Sequence, residues 1–504
     1  MSTSLPGRDR RAVRHPGPVG SSRLEDPRHV AVIGGGIAGL AAATVLAEHG
    51  ASVTLFESSD RLGGRVASWP LPGHDNRTMS RGFHAFFRQY YNLRALLKRS
   101  DPTLRHLVPV SDYPLQRPDG MRDSFTNLPR TPPWSVLEFV RQSDSFTLRS
   151  LAKVNVKAAL ELMQVHFPGT YDDYDGESAA AFLDRLRFPP DARALALEVF
   201  ARSFFADPRD FGAGELVAMF HTYFMGSAEG LLFDVPDDDY DTSLWAPLGD
   251  HLAKLGIEVH PGTPVTWLSV DDDGVRVTTA HESYAVDAVV VAADPRAARE
   301  LVADMTLTPD AGVWKEQVAA TYNAPPFIVV RLWLGGHVHG DRPAFLGTTG
   351  YGPLDNVSVL ERFEEGAATW SRTHRGSVVE LHAYACAPEV ATDPDAAAAV
   401  VAQLIEELHR AYPETETLPV VERKVLVRDD CTLIGPEKWQ ERPGVTTPSR
   451  RLVLAGDWVR CDYPVALMER AATTGFMAAN ELLSGWGVAG EDVWTVPVRG
   501  LLRR

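Results

Sequence analysis

Three glycines, Gly34, Gly36 and Gly39, stand between a β-branched run, His29-Val30-Ala31-Val32-Ile33, and an Ala/Leu-rich stretch that reaches His49. Without side chains they let a pyrophosphate approach the backbone and rest on the positive N-terminus of the helix that follows. Eighteen positions beyond Gly39, Glu57 closes a second strand-like run, Ala51 to Phe56. A carboxylate at that point can accept hydrogen bonds from a ribose diol. The spacing predicts an ADP-binding site and leaves open whether the dinucleotide carries nicotinamide or a flavin.

Two further segments bear on that choice. Arg61-Leu62-Gly63-Gly64-Arg65 offers glycines that permit close approach and an arginine that can pair with a diphosphate, although by itself it reads equally as a surface turn. Near the other end, Ala455-Gly456-Asp457-Trp458 is followed by a helix expected over Met468 to Leu483. A strand end, an Asp and a helix N-terminus in that order can bring an acceptor to ribityl hydroxyls and amides to an isoalloxazine carbonyl. With all three segments the expected cofactor is FAD.

The elements that must position these residues read as strand, glycine turn, helix and strand at the start of an FAD-binding Rossmann-like α/β domain. That domain is expected over 29–96, 241–301 and 426–485, where the apolar run Ala288 to Ala293 suits a buried parallel strand. An inserted α+β substrate-binding domain is expected over 97–240 and 302–425. Residues 1–28, rich in Arg, Pro, Gly and Ser, read as a disordered basic leader, and 486–504 as a C-terminal tail.

The 504 residues are 44% hydrophobic and 23% charged, as in folded globular proteins, and the net charge of −16 argues against a nucleic-acid partner. Cys386, Cys431 and Cys461 form no CxxC pair, so no disulfide framework and no cysteine metal site is expected. Asp237-Asp238-Asp239-Tyr240-Asp241 lacks the spacing of an oxygen-ligand loop and reads as a surface link; no metal is expected. No apolar run reaches the length of a membrane span, so any membrane contact would be peripheral, from a cytoplasmic location at the inner face of the cell membrane.

Gly34 to Gly39, Glu57, Gly63-Gly64-Arg65 and the Gly456-Asp457…Met468-Glu469 ending together resemble the FAD-dependent amine oxidase and carotenoid desaturase superfamily, over residues 29 to about 485. Arg81-Gly82-Phe83-His84-Ala85-Phe86-Phe87-Arg88-Gln89-Tyr90-Tyr91-Asn92 and the ending with Tyr463-Pro464 look more like the desaturases, and the chain as a whole resembles the carotenoid φ-ring synthases. The resemblance implies FAD contacts at Ala38, Glu57, Ser58, Arg65, Phe83, His84, Val265, Asp457 and Met468, with the backbone at Val265 meeting the adenine. As a plain strand valine, Val265 would need no such role.

The resemblance further implies a β-ring of β-carotene converted to an aromatic trimethylphenyl ring. Aromaticity requires one of the two methyls on the sp³ carbon to migrate, and ring hydrogens must fall from six to two, which is two two-electron oxidations per ring. Hydride removal, a 1,2-methyl shift and proton loss satisfy that count with no external methyl. A cation needs dry surroundings, and the aromatics Phe200, Phe204, Phe205, Phe211, Phe220, Tyr223 and Phe224 could line a polyene tunnel or be plain core. His84 reads as a packed or cofactor-contacting residue, Glu215 and His221 could stabilise a carbocation or take a proton and read equally well as solvated helix residues, and no catalytic side chain or electron acceptor is assigned. Membrane contact is expected within Leu148 to Phe167. Open alternatives are an amine or protoporphyrinogen oxidase of the same superfamily, and a non-redox lipid-escort protein of this fold.

Overall fold

The computed structural model describes residues 9–73, 76–110, 112–124, isolated positions between 129 and 141, and then 154–187, 204–271, 273–307 and 311–502. His29–Ile33 forms β1, Ile37–Glu48 forms α1 and Ser52–Phe56 forms β2. Much later in the chain come β3 (Glu258–His260), β4 (Ala288–Val291), β5 (Leu452–Leu454) and α2 (Leu467–Gly485). The five strands make one parallel sheet in the order β3-β2-β1-β4-β5. β4 and β5 are buried at every residue, as strands covered on both faces must be.

α1 is apolar and buried almost all round because it lies between this sheet and α2. The two helices touch where Gly475 meets Ala38 and Ala41; a Cβ on Gly475 would collide with the Ala38 carbonyl oxygen. Gly50, at φ +94°, ends the turn after α1.

A second sheet has seven strands in the order Val420–Arg428, Phe327–Leu334, Ser377–Ala383, Asn356–Val359, Phe345–Thr348, Leu115–Gln116 and Arg122–Asp123. Strand periodicity divides its side chains. Val330, Leu332, Val379 and Leu381 pack with Leu404 and Leu408 of the helix Pro394–Ala411, while Arg331, Glu380 and His382 face the other way, towards Thr78, Ser80 and Gly82. A smaller sheet joins Phe86–Phe87 to Phe233–Pro236 and that to Leu107–Pro109, bringing together aromatics from two distant stretches.

The expectation of a disordered leader is corrected from residue 9 onward. Val13–His15 pairs antiparallel with Val493–Thr495, and Arg14 bonds Asp492 at 2.5 Å. Gly490 N–H donates to the Pro18 carbonyl and Ala489 N–H to that of Ser21. A composition of Arg, Pro and Gly reads as a leader because the partner strand lies almost five hundred residues away.

Candidate functional site

The glycine turn after β1 is shaped by backbone that only glycine tolerates. Gly34 sits at φ +111°, and a Cβ there would strike the Ala292 carbonyl oxygen. Gly63 and Gly64, at φ +99° and +56°, bring a second turn against the first; a Cβ on Gly64 would lie 3.0 Å from the Gly36 Cα. Gly63 N–H donates to the Gly35 carbonyl at 2.9 Å, and Trp245 Nε1–H holds the Val66 carbonyl from behind at 2.6 Å.

These turns border a cavity of about 780 Å³ that receives residues from both large sheets. Its wall contains Gly34, Gly36, Ala38, Glu57, Ser58, Gly64, Arg65, Phe83, His84, Val265, Gly456, Asp457 and Met468. Gly39 is the one expected site residue outside that wall. Its Cβ would collide with the Gly34 carbonyl oxygen, so Gly39 serves the packing of turn on helix.

Glu57 is 6% exposed, with Oε2 accepting Gly35 N–H at 2.6 Å and Oε1 accepting Ser59 N–H at 2.7 Å. Its carboxylate is therefore aimed before any ligand arrives. Gly36 caps α1 and Ala466 caps α2, neither with a side-chain bond, and both helix starts open on the same cavity. Uncapped amides at a helix start carry partial positive charge. A glycine cradle, an aimed carboxylate and two such helix starts suit the diphosphate, ribose and isoalloxazine of FAD.

Arg65 Nη2 lies 2.5 Å from Asp457 Oδ1, which also accepts the Thr432 hydroxyl at 2.8 Å. Burial opposes the charge on Arg65, but Asp457 overcomes it and keeps the guanidinium ionised. Val265 opens the strand Val265–Val270 at the cavity end where Thr263, Ala292 and Ala293 also stand. His84 is held by the Gly82 carbonyl at 2.8 Å through Nδ1 and packs edge-on against Tyr240. Burial lowers its pKa to about 4, only partly offset by that bond, so the ring is neutral.

Of the expected tunnel aromatics, Phe204, Phe205 and Tyr223 line the cavity, whereas Phe211, Phe220 and Phe224 do not. Phe200 lies outside the described residues. Phe87, Tyr90, Tyr113, Phe233 and Phe345 line it as well. Tyr113, Phe233 and Phe345 come from segments joined only by strand pairing, so no spacing marks them, whereas Phe87 and Tyr90 lie inside the Arg81–Asn92 motif.

Of the two readings open for Glu215 and His221, the solvated one is corrected, because both are buried. Glu215 is 2% exposed and accepts from Arg470 at 2.6 Å and Arg442 at 3.3 Å, tying the helix Ala213–Phe220 to the first turn of α2. His221 is fully buried, its Nε2 bonded to the Pro497 carbonyl at 2.7 Å. All three partners come from beyond residue 440, out of reach of any local pattern. The acidic run is likewise engaged: Asp239 accepts the Ser68 hydroxyl at 2.5 Å and Asp237 that of Ser243 at 2.8 Å.

The family model for flavin containing amine oxidoreductase matches residues 37–483. A carotenoid phi-ring synthase of Streptomyces griseus is 51% identical, over 99% of this chain and 96% of that protein. A carotenoid phi-ring synthase of Chlorobaculum tepidum is 27% identical, over 95% of this chain and 92% of that one. Among solved structures, cyclohexylamine oxidase from Brevibacterium oxydans superimposes with a TM-score of 0.67 at 15% identity, covering 91% of this chain and 99% of its own, which speaks for the fold. The chain belongs to the flavin-containing amine oxidoreductases and, within them, to the carotenoid phi-ring synthase family, and it is an FAD-dependent oxidoreductase of the carotenoid desaturase type.

Proposed function

We propose that the enzyme converts the β-ring of a carotenoid, in the first place β-carotene, into an aromatic φ-ring by two two-electron oxidations and an intramolecular 1,2-methyl shift. When bound, FAD supplies the two-electron acceptor.

The observation that carries this reading is the aromatic section of the cavity wall. Ring centroids of Phe83 and Phe345 are 4.4 Å apart, Phe87 and Tyr223 4.6 Å, and Tyr113 and Phe233 4.7 Å. The tyrosine hydroxyls have local partners: Tyr90 and Tyr223 share a bond of 2.6 Å, and Tyr113 donates to the Leu231 carbonyl at 2.5 Å. That leaves carbon and π faces for an apolar ring. Each face attracts a nearby cation by roughly 0.5–2 kcal/mol, and a dry wall protects a ring cation from water long enough for a methyl to move. An amine or a charged macrocycle would find no counter-charge among these rings.

In the same reading Gly34, Gly36 and Ala38 receive the diphosphate with Arg65, Glu57 and Ser58 the ribose, and Val265 the adenine. Asp457 takes the ribityl chain, and Gly64, Gly456 and Met468 adjoin the isoalloxazine. Phe83 and His84 form the border with the substrate.

No helix among the described residues is long and apolar enough to cross a membrane. Peripheral contact with the inner face of the cell membrane is supported by Val156, 67% exposed, and Leu160, one turn later on Val156–Glu161. Leu502 N–H binds the Met163 carbonyl at 2.9 Å, setting exposed Leu501 and Leu502 beside that helix. Of the expected membrane segment Leu148 to Phe167, residues 148–153 lie outside the described residues. Flotation with anionic lipid vesicles is expected for the parent chain and lost in Val156→Asp/Leu160→Asp.

The experiment for the reaction is turnover of β-carotene carrying ¹³C in the paired ring methyls. The account expects both labels in the aromatic ring's methyls, on adjacent carbons. Loss of one label, or entry of a methyl from an added donor, contradicts it.

A further inference from the structure

Glu380 and His382 lie two residues apart on Ser377–Ala383, on the face turned from the helix side of the sheet, and Tyr384 follows at the cavity wall. Their hydrogen bonds form one line. Tyr384 Oη is 2.6 Å from His382 Nδ1, and His382 Nε2 is 2.9 Å from Glu380 Oε1. Behind them Arg331, on the neighbouring strand, donates to Glu380 Oε2 from Nη2 at 2.7 Å and Nε at 2.9 Å. Glu380, His382 and Arg331 are each at most 2% exposed.

This line fixes the proton positions. Burial alone would raise Glu380, but Arg331 and the bond from His382 prevail and hold its pKa at about 2. An ionised carboxylate only accepts, so the 2.9 Å bond to Glu380 puts the hydrogen on Nε2 of His382 and leaves Nδ1 to accept from the Tyr384 hydroxyl, while the longer 3.3 Å approach of the Phe83 N–H to Nε2 belongs to the other tautomer. Asn356 Nδ2 donates to the same Tyr384 oxygen at 3.1 Å. A buried ion cluster that only joined strands could end in the core. This one ends on a hydroxyl at the cavity, beside Phe83, whose N–H lies 3.3 Å from His382 Nε2 and whose ring packs on Phe345 and Phe233. His84 offers no equivalent: its Nδ1 is spent on a carbonyl, and among the described residues no carboxylate bonds it.

We propose that Tyr384, His382 and Glu380 form the relay that takes up the proton released by the ring after methyl migration. The proposal rests on the ring-aromatising reading above. A C–H bond of the cationic ring breaks and its electron pair becomes a ring double bond. The proton passes to Tyr384 Oη as the hydroxyl's own proton moves to His382 Nδ1. The resulting imidazolium is neutralised by Glu380 through the existing Nε2–H bond, and Arg331 keeps Glu380 ionised throughout. After product leaves, the proton returns through Tyr384 to water. Tyr384 is the catalytic residue; His382 and Glu380 act through it.

Tyr384→Phe retains the ring and removes only the hydroxyl. With FAD content and melting temperature as in the parent, the variant is expected to keep the first flavin reduction in an anaerobic single turnover with β-carotene. In multiple turnover with an electron acceptor present, aromatic product should form about 100-fold or more slowly than in the parent, with a partly oxidised, non-aromatic ring accumulating. His382→Gln should match it, and the double variant should be no slower than either single one, because a relay fails as a unit. Aromatic product from Tyr384→Phe at the parent rate, or losses that multiply in the double variant, would overturn the relay while leaving the reaction assignment standing. A parent chain that leaves β-carotene unchanged would overturn both.

Discussion

Arg65 and Asp457, 392 positions apart in the chain, meet in an ion pair of 2.5 Å at the cavity wall. The pair locks the second glycine turn to the end of β5, so the opening and the closing segments of the chain share one ligand surface. It also keeps each charge oriented, since neither side chain is free to swing away.

Asp457→Ala leaves the Arg65 guanidinium without its partner and removes an acceptor from the cavity. A hydrogen bond to a charged group contributes about 1.5–3 kcal/mol, so FAD should bind roughly 10- to 100-fold more weakly. The ratio of flavin to protein absorbance after gel filtration, and titration of the stripped protein with FAD, read this directly. Unchanged retention would show that the pair only braces the fold.

The contact of α1 with α2 tolerates no side chain at Gly475. In Gly475→Ala the new methyl meets the Ala38 carbonyl, and overpacking of this kind costs about 1–3 kcal/mol. Because α1 and α2 both begin at the cavity, the variant should lose flavin as well as several degrees of melting temperature. A stable protein with full flavin would mean that the helices separate without cost.

Glu215 neutralises two arginines in the core, Arg442 at 5% and Arg470 at 1% side-chain exposure. Breaking a buried pair from one side costs about 3–5 kcal/mol, and Glu215→Gln leaves the Arg470 guanidinium without its carboxylate and Arg442 with Glu437 at 2.9 Å. Chemical denaturation should show a loss in that range, with any fall in turnover explained by lower folded content. Loss of turnover in a fully folded variant would instead place Glu215 in the chemistry.

Acid should destabilise the fold through His221. Burial lowers its pKa from 6.5 to about 4, opposed by the Pro497 carbonyl, so the folded state binds the proton less readily than the unfolded chain. The stability from this neutral ring is present above pH 6.5 and is lost as pH falls through about 4. The shift corresponds to something on the order of 3 kcal/mol. His221→Phe should flatten the decline in denaturation free energy between pH 7 and 4.5; an equally steep decline would assign it to other groups.

Gly34, Glu57, Gly64, Arg65 and Asp457 stand out in the sequence because each closes or opens a local element, whereas the pairing of Arg65 with Asp457 across 392 positions has no local signal. Gly39 was misjudged because spacing cannot tell a glycine that makes room for a ligand from one that makes room for the Gly34 carbonyl. The parallel sheet was legible through its apolar β-branched runs. The pairing of Val13–His15 with Val493–Thr495 was not, since a three-residue strand carries no signal without its partner. The aromatic wall and the Tyr384–His382–Glu380 line were hidden because strand registers between remote segments create them. Glu380 and His382 look like polar interruptions of a buried strand until Arg331 is seen beside them.

Expression of the chain in a host that accumulates β-carotene, with the pigments analysed by chromatography and absorption, decides whether it aromatises the ring. The account predicts a new carotenoid with aromatic trimethylphenyl end groups, formed at the expense of β-carotene and absent when Asp457→Ala is expressed instead. Unchanged β-carotene alongside folded, flavin-loaded protein would contradict it.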